Sequence, residues 1–209
     1  MPSRHGYRGL LLDFGGVITT NLLEATRRFC RSQGLPEDAL LDVFRHDRAG
    51  RRLLKDVERG AIPQREFETG IAALLGIDGD RLVERLIGLV EPEPSILTAA
   101  ERARGAGVRT AVLSNSWGLH PFDPYTHWGL AERFDAMVLS EHTGTRKPDP
   151  AIYKLAARRL DLPCDACVFV DDLPHNLEPA RALGMAVIHK TDPDQVVAEL
   201  EVLLGLPLR

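Results

Sequence analysis

Five short apolar runs recur along this chain, and their spacing constrains the fold more than anything else in it. They are Gly9–Phe14 (GLLLDF), Arg109–Ser114 (RTAVLS), Asp135–Ser140 (DAMVLS), Cys167–Asp172 (CVFVDD) and Met185–His189 (MAVIH). Each is nearly continuous in hydrophobicity, as expected of strands covered on both faces. Helical periodicity fills most of the gaps, over Ser95–Ala106, Pro150–Leu160, Leu173–Leu183 and Pro193–Leu204. Strand and helix in alternation imply βαβ units, right-handed crossovers and a parallel sheet. With 209 residues, 44% of them hydrophobic, the chain can bury one such core and still carry a sizeable insertion.

The rhythm breaks between Asn21 and Glu91. Helical patterns follow one another there, over Leu22–Gln33, Pro36–Asp47, Arg51–Arg59, Pro63–Leu75 and Asp80–Leu89, with no convincing strand among them. The stretch therefore reads as an all-helical insertion. Its expected limits are residues 19–91, within a core made of residues 1–18 and 92–209. Glu91–Pro94 (EPEP) is the expected linker back, since alternating prolines favour extended chain.

A formal net charge of −4 and a pI near 6.0 argue against nucleic acid or an anionic membrane as partner, because no Lys/Arg run supplies a basic face. The apolar stretch near the N-terminus is short and broken by Asp13, which supports neither a signal peptide nor a membrane span, so a cytoplasmic protein is expected. Of the three cysteines, Cys164 and Cys167 have a redox or zinc spacing. Further ligands are missing, Cys30 lies far off in a helical pattern, and structural thiols are the expectation.

In a parallel sheet the ligand crevice lies beyond the carboxyl ends of the strands. Asp13 stands there after LLL, Ser114 and Asn115 after TAVL, and Asp171 and Asp172 after VFV, with Lys147 just ahead of a helix starting near Pro150. Gathering acids and a lysine on one edge is poor for stability and good for a divalent cation and a phosphate. Carboxylate oxygens hold Mg²⁺, and the metal, Ser114 and Lys147 neutralise phosphoryl oxygens. Gly15 and Gly16 would let bare backbone N–H groups approach the anion and allow a sharp turn.

These residues resemble the haloacid dehalogenase-like hydrolases in all four motifs, in order: DFGGV, VLSNS, RKPDPAIY and VFVDDLPHN. The stretch ERGAIPQREFETGIAALLG is similar to the helical cap of the subgroup that contains the phosphatase domain of soluble epoxide hydrolases and some sugar-phosphate phosphatases. The resemblance implies an α/β, Rossmann-like parallel-sheet core with an inserted all-helical cap domain, and Mg²⁺-dependent hydrolysis of a small phosphorylated metabolite. It implies that Asp13 attacks phosphorus to form an aspartyl phosphate, that Ser114 and Asn115 position the transferring group, and that Lys147 holds the phosphate and the nucleophile. Asp13, Asp172 and Asp171 would hold the metal, Asp171 directly or through water, together with the Gly15 carbonyl; Gly16 would lie at the phosphate.

One departure matters. The usual first motif is Asp-x-Asp, whose second Asp protonates the leaving oxygen, and here that position is Gly15. General acid–base catalysis, typically worth 10²–10⁴-fold, thus lacks its usual carrier. A cap residue such as His46, or a bound water, could supply the proton. Two rivals stay open: a 2-haloacid dehalogenase using the same aspartate on carbon, and a non-catalytic phosphometabolite-binding protein. The aromatic stretch Ser116–Leu130 reads as local packing or as a wall beside the substrate, and His175 as an ordinary polar residue near the site.

Overall fold

The computed structural model describes residues 6–209. Five strands, β1 (Gly9–Leu12), β2 (Arg109–Ser114), β3 (Ala136–Leu139), β4 (Cys167–Asp171) and β5 (Ala186–His189), form one parallel sheet in the order β3-β2-β1-β4-β5. The helices outside the insertion are α6 (Pro94–Gly105), α7 (Pro124–His127), α8 (Leu130–Arg133), α9 (Ser140–Thr143), α10 (Pro150–Arg159), α11 (Pro174–Ala182) and α12 (Pro193–Leu204). Between β1 and β2 lie α1 (Leu22–Ser32), α2 (Ala39–Arg45), α3 (Arg48–Glu58), α4 (Gln64–Leu75) and α5 (Leu82–Ile87).

Period-two alternation explains why the strands are apolar throughout. Leu10, Leu12, Val112, Val168 and Val170 enter one core layer with Ile96, Ala100, Val196 and Leu200 of α6 and α12. Leu11, Ala111, Leu113 and Phe169 enter the opposite layer with Ile152, Tyr153 and Ala156 of α10 and Leu177 and Ala180 of α11. Both faces are covered, so neither can be polar.

Strands β1, β3 and β4 are shorter than their apolar runs, because the polar ends of those runs have other duties. Asp13 begins a wide turn (Phe14–Ile18), Ser140 opens α9, and Asp172 follows β4. Helix α3 starts at Arg48, ahead of the expected Arg51, since Asp47 caps it by accepting the Gly50 N–H at 2.8 Å. The short helices α7, α8 and α9 have no counterpart in the periodicity, being too brief to show one.

The insertion has an apolar core of its own, including Phe29, Leu40, Val57, Phe67, Ile71, Leu82 and Leu86, which Trp117 and Phe122 join from the loop after β2. Its two connections run side by side. Thr19 and Pro92 form an antiparallel bridge, flanked by Thr20 N–H to Glu91 O at 2.8 Å and Glu93 N–H to Ile18 O at 2.7 Å. EPEP is therefore only half a linker: Pro94 already opens α6, where its missing N–H costs nothing.

Candidate active site

Register places the acids. Leu12 lies beside Val170 on β4 and Val112 on β2, so Asp13 leaves the sheet next to Asp171 and one step short of Ser114. The turn after Asp13 separates the roles of the two glycines. Gly16 has φ +80, and a Cβ there would lie 2.5 Å from Asp172 Oδ2, so both conformation and space demand glycine. Gly15 has φ −71 and ψ 118, open to any residue, and a Cβ would meet only the tip of Leu22 at 2.9 Å. Contrary to the expectation of a bare amide facing an anion, the Gly16 N–H is committed to Thr19 Oγ1 at 3.0 Å.

Lys147, 1% exposed, is the hub. Its Nζ lies 2.7 Å from Asp13 Oδ1 and 2.7 Å from Asp171 Oδ2. Asp13 Oδ1 also accepts the Phe14 N–H at 2.7 Å. Asp171, fully buried, accepts from Leu173 N at 2.9 Å and from Asn176 Nδ2 at 3.0 and 3.1 Å besides the lysine. Asp172 is partly exposed. Its oxygens are thus less engaged than those of Asp171.

Three carboxylates against one ammonium leave a formal charge of −2, in a place where water screens little. Burial pushes the Asp13 carboxyl well above the usual carboxylate range; Lys147 opposes the shift, while Asp171 and Asp172 add to it. Asp172 rises to about 6 through burial and the Asp171 charge. Lys147 is raised as well: burial alone would lower it, but Asp13 and Asp171 outweigh that and keep it an ammonium. Asp13, Asp171 and Asp172 each offer an oxygen within 4.8 Å of the others, a hard-donor set that fits a divalent cation.

The remaining motif residues converge on the same place with different partners. Ser114 Oγ lies 2.8 Å from the hydroxyl of buried Tyr125. Asn115 spends both ends of its amide on the Lys147 backbone, Nδ2 donating to the carbonyl at 3.1 Å and Oδ1 accepting the N–H at 2.9 Å. Its side chain braces the lysine loop rather than facing a ligand. Tyr125 and Asn176 lie within the stretches Ser116–Leu130 and VFVDDLPHN, but residue type alone gives neither of them a role.

His46 lies outside this cluster, 75% exposed at its side chain and 3.8 Å from Asp42. His175 is exposed on the first turn of α11. In the aromatic stretch after β2, both tryptophans pack on other rings, and Trp117 also hydrogen-bonds the Glu58 carboxyl. Trp117 lies 5.8 Å from the rings of Phe44 and Phe67, and Trp128 lies 5.3 Å from Phe14. Cys30, Cys164 and Cys167 are free thiols.

Comparison with known proteins agrees with the four motifs. The profile of the haloacid dehalogenase-like hydrolases matches residues 7–184. Bifunctional epoxide hydrolase 2 of Sus scrofa is 36% identical over 121 residues, 54% of this chain but only 21% of that protein's length. The sesquiterpene phosphatase astK of Aspergillus oryzae is 27% identical over 154 residues, covering 71% of this chain and 77% of its own. A solved HAD family enzyme of Bacteroides thetaiotaomicron, in complex with magnesium and inorganic phosphate, shares the fold at a TM-score of 0.66 and 20% identity, over 89% of this chain and 95% of that one. With motif order, sheet topology and profile in agreement, this chain belongs to the haloacid dehalogenase-like hydrolases.

Proposed function

We propose that this chain is a Mg²⁺-dependent phosphatase acting on small phosphorylated metabolites through an aspartyl phosphate on Asp13, with residues 19–91 serving as a cap over a core of residues 1–18 and 92–209. The observation that carries the reading is the buried Asp13–Lys147–Asp171 bridge beside Asp172, a group two charges short of neutral. A divalent cation completes it, and the completed group suits a phosphate. The phosphatase relative and the Bacteroides complex support the same reading.

Both partners of Asp13, the Phe14 N–H and the Lys147 ammonium, fall on Oδ1, so Oδ2 is the oxygen available to attack phosphorus. As that bond forms, the bond from phosphorus to the leaving oxygen breaks and the leaving group takes the electron pair. Water then attacks phosphorus, the bond from phosphorus to the Asp13 oxygen breaks with its electron pair returning to Asp13 as a carboxylate, and the water protons leave on the inorganic phosphate or pass to solvent. Asp13, Asp172 and the Gly15 carbonyl would hold the cation, with Asp171 contributing charge while it anchors Lys147. When bound, the metal would draw negative charge off the phosphoryl oxygens. Lys147 and Ser114 would bind those oxygens, and Asn115 would hold Lys147 in place.

The dehalogenase alternative fits less well. Asp171 and Asp172 raise the cost of ionising Asp13, and attack on a carbon–halogen bond gives those charges no cation to offset them. Gly15 has no side chain to protonate a leaving oxygen, so aryl, acyl and sugar 1-phosphates should react faster than primary alkyl phosphates. The test is release of p-nitrophenol from p-nitrophenyl phosphate with Mg²⁺ and with chelator. Hydrolysis that chelator abolishes is expected; no hydrolysis by folded, Mg²⁺-supplied protein would sink the phosphatase reading.

A further inference from the structure

The glutamate that ends α3 is one of two buried acids on the insertion helices, with Glu68 of α4 the other. Glu58 is 5% exposed, and it presses on the loop that holds Lys147. The turn behind it makes this possible: Gly60 has φ +67, and a Cβ there would lie 2.4 Å from the Glu141 carbonyl oxygen. Two backbones meet with no side chain between them.

Glu58 Oε2 lies 2.8 Å from Arg146 Nη1. The contact is one of charge, since no hydrogen-bond donor is aligned on that oxygen. Arg146 in turn donates its Nε–H to the Lys147 carbonyl at 3.1 Å, the same carbonyl that Asn115 Nδ2 reaches at 3.1 Å. The backbone of the lysine is therefore gripped from two sides. Asn115 grips it from the end of β2, and Arg146 from its own loop, with the guanidinium charge answered from the insertion.

We propose that Glu58 is a positioning residue, which the seated insertion uses to fix Arg146 on the Lys147 carbonyl and so to set the lysine that bridges Asp13 and Asp171. Seating of the insertion and competence of the site are then coupled through one ion pair. Lifting the insertion removes the charge partner of Arg146 and slackens one of three hydrogen bonds on the Lys147 backbone. The idea deepens the phosphatase reading and rests on it in its kinetic arm alone.

Two conservative variants cut different links. Glu58→Gln keeps shape and removes the charge; Arg146→Lys keeps a charge opposite Glu58 but lacks the guanidinium fork that serves carboxylate and carbonyl together. Each should lower kcat on p-nitrophenyl phosphate about tenfold, as small misplacements of a reacting group do. The double variant should be no slower than the slower single one, because the links lie in series. In ¹⁵N-lysine-labelled protein, the Lys147 ammonium resonance, assigned by its loss in Lys147→Arg, should shift in both variants. An unmoved resonance in either variant would overturn the relay, as would a loss of rate confined to alkyl phosphates, which would put Glu58 on the leaving oxygen instead. If the parent protein hydrolyses nothing, the phosphatase reading fails while the resonance still decides the relay.

Discussion

The carboxyl edge of the sheet and the core of the helical insertion are equally dry and chemically opposite. Asp13, Lys147 and Asp171 are 7%, 1% and 0% exposed, and Phe29, Phe67 and Leu40 are 1%, 0% and 0%. Burying a large apolar side chain contributes about 1.5–3 kcal/mol. Buried charges come near break-even only when each finds its partner, and here the acids outnumber the lysine. One region is therefore held by its own packing. The other is held by the sheet around it and retains an electrostatic deficit that a ligand can relieve.

Asp13→Asn against Phe67→Ala breaks this comparison most directly. The amide keeps the shape of the carboxyl but is a very poor nucleophile, so turnover should fall by on the order of 10³-fold or more. Thermal stability should hold or rise, since Lys147 keeps Asp171 as its partner and the excess of acids over the lysine falls by one. Phe67→Ala should cost about 3–5 kcal/mol of stability by opening a cavity in the insertion core, with Mg²⁺ affinity little changed. Melting curves, p-nitrophenyl phosphate turnover and Mg²⁺ titration of both variants check this. A destabilised Asp13→Asn protein would erase the contrast.

A smaller effect sharpens it within the edge itself. Asp172→Ala should weaken Mg²⁺ by about tenfold or more, the size of loss expected when a metal site loses a supporting group. Ser114→Ala should leave Mg²⁺ binding nearly intact, because its hydroxyl pairs with Tyr125 and, in the proposed mechanism, meets the phosphate and not the cation. Equal affinities by calorimetry would contradict this division.

The smallest expected change comes from Gly15→Asp. The backbone there is in an ordinary region and only the mobile tip of Leu22 must move, so the variant should fold. Its new carboxyl group should raise kcat/KM for a primary alkyl phosphate relative to p-nitrophenyl phosphate. An unchanged ratio in a folded, Mg²⁺-binding variant would show that a missing acid at this position does not govern the choice of substrate.

Much of this was legible in the chain before folding. The apolar runs gave strand order along the sequence, and polar residues at their ends pointed to the ligand edge. Helix starts were readable where a capping Asp or an N-terminal Pro marks them, as at Asp149 and Pro150. The short helices α7, α8 and α9 were not, being under two turns long. Tyr125 stayed hidden because what defines it is a partner eleven residues away across the crevice, and Glu58 because nothing about an acid at a helix end announces burial.

By itself the sequence determined the class of fold and the chemical inventory, since periodicity and residue type are local properties that survive without a structure. Only the tertiary structure decided how that inventory is shared out. Parallel register set Asp13 beside Asp171, burial raised the cost of ionising Asp13, and the docking of the insertion brought Glu58 to Arg146. Distance and dielectric fix the strength of a charge, and both come into being when the chain closes on itself.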